Sequence, residues 1–327
     1  MTARTWLGAL LLLAGVAALY AVFRPEPPEA PPVAFTSSAQ CKDCHAAVYG
    51  EWEGSWHARS WTDPDVRTLS NDFANTDCID CHAPRPVFET GVGERVLPRT
   101  ARRSEGVDCI ACHALPAAPG EAPRMAGSLE RLDVPCRPEI VRALGSPEFC
   151  APCHDQHKTV EQWRATRYAA EGVDCIDCHM PFRDGDPNRG REHTMHGGHD
   201  LELVRSAVAL RARREAERVL VEVENVGAGH HFPTDERSRA GDVFWRPLGD
   251  TGPWRWLYRF RSPYRDEVGV EDTLLPAHEV RVLTIDEPGT SALEVALFYK
   301  LTPYWTDPAH PDPEREARLV QRVVVEP

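Results

Sequence analysis

The chain is 327 residues long, enough for one large domain or two ordinary ones. Its 50 acidic against 37 basic residues leave a net charge of -13 at pH 7, and no basic stripe offsets it, which excludes nucleic acid as a partner. Lysine occurs only at Lys42, Lys158 and Lys300, so the positive charge is nearly all arginine, a composition bias rather than a functional feature.

The N-terminal run Trp6–Phe23, WLGALLLLAGVAALYAVF, is uncharged, flanked by Arg4 and closed by Arg24. A run of that length suits a short transmembrane helix or a long signal-peptide core. No small-residue cleavage pattern follows, and no cysteine stands where a lipid anchor needs one. Residues 1–24 are therefore expected to form an uncleaved transmembrane helix. It would hold the protein to the inner membrane through residues 6–23, with the body in the periplasm. A cleaved signal, giving a secreted periplasmic or cell-surface protein, is the alternative. PEPPEAPP at Pro25–Pro32 opens a stiff, extended linker over 25–37.

Ten of the eleven cysteines fall into five copies of C-x-x-C-H: Cys41, Cys44 and His45; Cys78, Cys81 and His82; Cys109, Cys112 and His113; Cys150, Cys153 and His154; Cys175, Cys178 and His179. Disulfides are the ordinary use of cysteine in an exported chain, but this arrangement argues otherwise. Two thiols three positions apart on a helical turn can each add to a vinyl group of one porphyrin. The next residue then turns its imidazole under the iron. A lone copy could be a redox dithiol or half a zinc site, but a zinc protein has no reason to follow every pair with histidine. The expected cofactors are five covalently bound c-type haems in a pentahaem domain over 38–203. Segments this short cannot bury an aliphatic core, so the porphyrins are expected to supply it, with short helices and loops around them. EGVDCIACH at Glu105–His113 and EGVDCIDCH at Glu171–His179 are near copies of each other. The eleventh cysteine, Cys136, stands outside the motifs and reads as a small buried residue.

Each iron would keep one axial position. Nine histidines lie outside the motifs (57, 157, 193, 196, 199, 230, 231, 278 and 310), against three internal methionines, Met125, Met180 and Met195. Bis-histidine ligation is therefore expected, at lower potential than His/Met ligation. His57, in a helix-like stretch with Trp52 and Trp56, suits a haem face. His157 is too close to the fourth motif to serve its own haem but could reach a neighbour. The cluster His193, His196 and His199 is expected to give two ligands, although histidine-rich tracts also suit free metal ions. His278 and His310 read as exposed or satisfied.

W-x-x-S-x-H-A at Trp52–Ala58, CHMP at Cys178–Pro181, H-x-x-x-G-G-H-D at His193–Asp200 and GAGHHFPT at Gly227–Thr234 together resemble the cytochrome c554-like multihaem cytochromes, over roughly residues 38–235. The resemblance implies an exported electron-transfer protein with close-packed, mostly bis-histidine haems, often followed by a β-sandwich. It also implies that His230 is a distal ligand, with His231 in the variable place. Asp235 stands where that family usually has glycine, and His196 where another residue often stands. The distal set is then His57, His157, His193, His199 and His230, one for each motif.

Beyond about Leu201 cysteine disappears and period-two patterning begins, at Val219–Val226, Val243–Trp245, Trp254–Phe260, Val280–Ile285, Leu293–Leu301 and Arg318–Glu326. Residues 204–327 are expected to form an antiparallel β-sandwich of immunoglobulin type. Val204–Arg218 fits a helix or a pair of strands. The expected fold class is α+β: a mostly helical or irregular haem domain, then the sandwich. No catalytic constellation is visible, so an electron carrier in a respiratory chain is favoured over a catalyst. Its redox partner proteins would be a quinol-linked donor and a cytochrome or reductase acceptor. Two alternatives stay open. One is a multihaem reductase or oxidase of a small nitrogen or sulfur compound, which needs one iron with an open face. The other is a subunit of an extracellular cytochrome filament.

Overall fold

The computed structural model describes residues 14, 30–31, 33–121, 124–156, 158–234, 238–263 and 267–327. The proposed anchor Trp6–Phe23 lies outside them except for Ala14, as do Pro25–Glu29 and Pro32 of the linker, His157 and Asp235. Among the described residues no helix is long and apolar enough to cross a membrane. These residues fall into two compact units. One is drawn from Met1–Ala34 and Leu115–Val141, the other from Phe35–Ala114 and Arg142–Pro327.

In the first unit two short parallel strands, β1 (Ala126–Gly127) and β2 (Glu139–Ile140), pair with each other. Cys136 stands in the connection between them and is partly exposed rather than buried, because no helix or strand of that connection covers it.

The second unit holds all five motifs, and it begins with short helices. Four motifs end on the last residue of one: Asp77–His82, Cys109–His113, Pro147–His154 and Cys175–His179. Two starts show why such short pieces form. Asp108 accepts the Ala111 amide at 2.7 Å, and Ser146 accepts that of Phe149 at 3.2 Å before Pro147 in the first turn. The first motif is different: His45 is the N-cap of helix Ala46–Glu53. The helix expected around Trp52, Trp56 and His57 breaks at Gly54, and a new turn, Trp56–Arg59, starts from a Ser55 cap. The break buries Trp52 and leaves Trp56 40% exposed.

From Leu201 the same unit changes character. Asp200 caps the helix Leu201–Ala207, which runs straight into β3 (Val208–Glu215), so the ambiguous stretch is the end of a helix followed by a strand. The remaining strands are β4 (Arg218–Asn225), β5 (Ala240–Pro247), β6 (Arg255–Phe260), β7 (Val280–Asp286), β8 (Leu293–Lys300) and β9 (Arg318–Val325). They make two antiparallel sheets, ordered β3-β4-β7 and β6-β5-β8-β9. Period two puts Val219, Val221 and Val223 of β4 into one core with Val243, Leu293, Val295 and Leu297 of the other sheet. β8 is buried along its whole length, because Trp254 and Trp305 cover its second face around Phe298. The architecture is α+β, a helical motif region followed by antiparallel sheets.

Candidate metal centre

Cys-x-x-Cys on one helical turn sets two thiols on the same face, three residues apart. Several motifs also touch one another. The thiols of Cys41 and Cys109, of Cys81 and Cys153, and of Cys150 and Cys175 are within hydrogen-bonding reach. These contacts join the first motif to the third, the second to the fourth and the fourth to the fifth. Cys112 lies close enough to Cys150 and Cys153 to disfavour their ionisation, which links the third motif to the fourth.

Three motif histidines face a second imidazole. His113 and His193 have ring centres 6.3 Å apart at 26°, His179 and His230 are 6.4 Å apart at 11°, and His57 and His154 are 5.9 Å apart at 52°. Two imidazoles bound nitrogen-first to one metal, at about 2 Å each, bring their ring centres to about 6 Å. Direct ring packing would be closer: Trp56 and His199 stack at 3.6 Å. The three wider spacings therefore leave room for one metal atom between each pair.

The tautomers agree with that fit. The Nδ1–H of His82 donates to the Ser60 carbonyl at 2.7 Å, that of His179 to the His196 carbonyl at 2.5 Å, that of His193 to the Arg191 carbonyl at 3.0 Å, and that of His230 to the His231 carbonyl at 2.9 Å. A proton held on Nδ1 leaves the Nε2 lone pair for a metal and fixes the ring's direction. Burial keeps two members of these pairs, His57 and His193, neutral. His57 is lowered from 6.5 to about 3, chiefly by burial and then by His154 and His179. His193 is lowered by burial and by His113. The Nδ1 of His57 is buried with no hydrogen-bond partner among the described residues.

The remaining expected ligands stand differently. His199 stacks on Trp56, and its Nε2 lies 3.2 Å from Nη2 of Arg239, which can only donate. Burial, then the charges of Arg239 and Arg318, bring its pKa to about 4. Among the described residues its ring does not pair with a motif histidine as His193 and His230 do, and its Nδ1 is buried without a hydrogen-bond partner. Among the described residues no second imidazole ring pairs with His45 or His82. His157 lies outside those residues, although its neighbour Gln156 places its amide 3.2 Å from Cys81 of the second motif. His196 is held between Glu192 at 3.2 Å and Asp200 at 2.5 Å, while its carbonyl orients His179.

The residues that hold these rings carry no motif. Ser60 and Glu51 gave no sign in the sequence, because their partners are distant along the chain. Asn225 offered a faint one, as an asparagine closing a strand before a glycine turn. It is fully buried and donates to the carbonyls of His230 at 2.9 Å and Leu275 at 3.1 Å.

Comparison with known proteins agrees with this geometry. Residues 40–114 match the family model described as "Cytochrome c554 and c-prime", and residues 138–191 match that of the NapC/NirT cytochrome c family, N-terminal region. The fold is similar to that of a penta-heme cytochrome c552 from Thermochromatium tepidum, at a TM-score of 0.62 and 20% identity over 91% of this chain and 100% of that one. A superoxide reductase (neelaredoxin) from Archaeoglobus fulgidus overlaps 37% of this chain and 89% of its own, with 13% identity and a TM-score of 0.21. A putative superoxide reductase from Thermotoga maritima overlaps 39% and 92%, with 14% identity and a TM-score of 0.21. Overlaps of that quality say nothing about this chain's chemistry. The two matched segments carry all five C-x-x-C-H motifs, and with the paired imidazoles they show multihaem c-type cytochrome domains, which implies electron transfer.

Proposed function

We propose that the chain binds five haems, one at each motif, and works as a membrane-anchored, periplasm-facing carrier in a respiratory chain. The observation that carries the proposal is the set of three imidazole pairs, in which both axial faces of a haem would be filled by the chain itself. Haem held by these residues would supply one-electron transfer, with a potential set by the ligands, burial and nearby charge of the chain. The chain's residues do the rest: cysteines anchor, carbonyls orient the rings, and burial excludes water and protons. Contacts among the motifs support a continuous relay from the first to the fifth.

The finer organisation belongs to the same reading. Residues 1–24 would be the anchor, 25–37 a spacer, 38–203 the haem domain and 204–327 a sandwich of immunoglobulin type, which the strand orders β3-β4-β7 and β6-β5-β8-β9 support. His157 and His199 would be the ligands left for the first and second motifs. The donor is taken to be quinol-linked, and the acceptor a cytochrome or reductase.

One observation favours a second reading. His199 is engaged by Trp56 and Arg239, and His157 can serve only one of the first two motifs. An iron left open there would suit reduction or oxidation of a small nitrogen or sulfur compound. Optical and EPR spectra of the purified protein, with its mass, separate the two. A mass increase of five haems and wholly low-spin spectra are expected of the carrier. A high-spin ferric signal that binds cyanide or hydroxylamine would favour the enzyme. His230→Ala is expected to convert one haem to high spin, and an unchanged spectrum would refute His230 as a ligand.

A further inference from the structure

His193 lies in a strap, residues 191–200, that contains no helix, so its backbone is placed by its bonds to other segments. Most of these lead to the fifth motif. The Glu192 amide donates to the Pro181 carbonyl at 2.9 Å, and Arg191 donates to the carbonyls of Ile176 and Met180. The bond from the Nδ1–H of His193 to Arg191 is local to the strap. At His199 the strap meets Arg239 and Arg318. Around His193 itself one bond leaves this neighbourhood. The backbone N–H of His193 donates at 2.9 Å to the carboxylate of Glu51, 142 residues earlier.

Glu51 is well fixed. It sits on the helix Ala46–Glu53, which starts from the first motif's His45. Its two oxygens accept from Nε of Arg183 at 3.0 Å and Nη2 at 2.5 Å, a forked charge-assisted pair. Both side chains are largely enclosed, 23% and 19% exposed. Burial alone pushes the carboxyl's pKa up, but Arg183 and the His193 amide outweigh it and hold the group below its usual range. The next residue on the helix reaches the opposite side of the same pair. The Trp52 indole N–H donates at 2.8 Å to the carbonyl of Val107, two residues before Cys109. Glu51 and Trp52 thus fix the segments leading to His193 and His113 from one rigid turn.

We infer that Glu51 is a positioning residue: it sets His193 opposite His113, and its negative charge helps set the potential of the haem between them. The inference rests on reading His113 and His193 as that haem's two axial ligands. No other residue of the first-motif helix touches the strap through a hydrogen bond among the described residues, so losing the carboxylate removes this tie. Replacing it by an amide keeps an acceptor for the His193 N–H while removing the charge.

The test compares His193→Ala, Glu51→Ala and Glu51→Gln as purified holoproteins, by EPR, near-infrared magnetic circular dichroism and redox titration. His193→Ala is expected to lose one bis-histidine low-spin signal. Glu51→Ala should lose or broaden that same signal, and Glu51→Gln should keep it with one midpoint potential shifted upward. If His193→Ala loses the signal while Glu51→Ala keeps the parent's signal and midpoints, the inference falls and the ligand reading stands. If His193→Ala keeps every signal, the ligand reading itself fails. Should Glu51→Ala yield no holoprotein, Glu51→Gln decides: a shifted midpoint supports the inference, and an unshifted one overturns it.

Discussion

Ser60 touches three parts of the site at once. Its hydroxyl lies 2.8 Å from the His57 carbonyl and 2.9 Å from that of His82, and it accepts the Val107 amide at 3.1 Å. Its own carbonyl receives the Nδ1–H of His82. A hydroxyl has one proton, so it serves one carbonyl at a time and still accepts from Val107. The Val107 amide also donates to the His57 carbonyl at 2.9 Å, so Ser60→Ala loses ordinary hydrogen bonds only and should cost roughly 0.5–1.5 kcal/mol, measurable by chemical denaturation. Spectral change should be confined to the haems of His82 and His154. Gly106 makes a similar demand on shape. Its φ is +59°, and an added Cβ would lie 2.2 Å from the His57 carbonyl. Gly106→Ala should therefore destabilise by at least about 1–3 kcal/mol and disturb the His57–His154 pair. Its counterpart in the near copy, Gly172, also has positive φ but open space around it, so there the glycine serves the backbone turn alone. At this scale the sequence was legible where chemistry is local. C-x-x-C-H must be contiguous because one porphyrin meets all three side chains. Ser60 and Glu51 were illegible because their partners lie 22, 47 and 142 residues away. His199 shows the converse. Its motif named it a ligand, yet whether its nitrogen meets a metal or Arg239 depends on a strand-end arginine that no local pattern announces.

At the scale of elements, the turn after β4 brings His230 from the sheet region to the fifth motif. Asn225 ends the strand and closes the turn, accepting the Ala228 amide at 3.1 Å and donating to His230 and Leu275. Gly227 lets the chain pass Ser206, whose carbonyl would be 2.3 Å from an added Cβ. Gly229 brings the turn against Trp163 and Tyr168. Asn225→Ala removes these three hydrogen bonds, at about 0.5–1.5 kcal/mol each, although the Leu275 carbonyl still accepts from the Phe232 amide. It is expected to lower the thermal midpoint and to release His230, seen as one low-spin haem turning high-spin. Retention of every low-spin signal would show that the turn holds without Asn225. Strands were readable from alternation, which follows from two-sided burial: each patterned stretch became a strand, with ends shifted by a few residues. Val204–Arg218 was not readable, because a helix passes directly into a strand with no turn residue between them. The broken helix around Trp56 was missed for another reason. Trp52 and Trp56 have helical spacing, but Ser55 offers a stronger local cap than helix continuation.

For the whole molecule, the excess of negative charge matters most for encounter. A net charge of -13, to which haem propionates would add, favours a redox partner with a basic face. The second-order rate of electron transfer to such a partner should fall by about tenfold or more between low and physiological ionic strength, where the Debye length shrinks to roughly 8 Å. A rate independent of salt in stopped-flow measurements would contradict a docking surface governed by this charge. The order of regions, motif-bearing helices first and sheets after, was plain in the sequence because cysteine stops where alternation starts. The grouping of Leu115–Val141 into a unit apart from the motifs on either side was not, since it depends on contacts rather than on composition. The central claim is that His57, His193 and His230 complete the axial sets of the fourth, third and fifth motifs. Near-infrared magnetic circular dichroism of the oxidised holoprotein tests it most directly, because bis-histidine, His/Met and high-spin haems give separate bands. At least three bis-histidine haems are predicted, and each of His57→Ala, His193→Ala and His230→Ala should remove one. Fewer than three such haems in the parent protein would contradict the account.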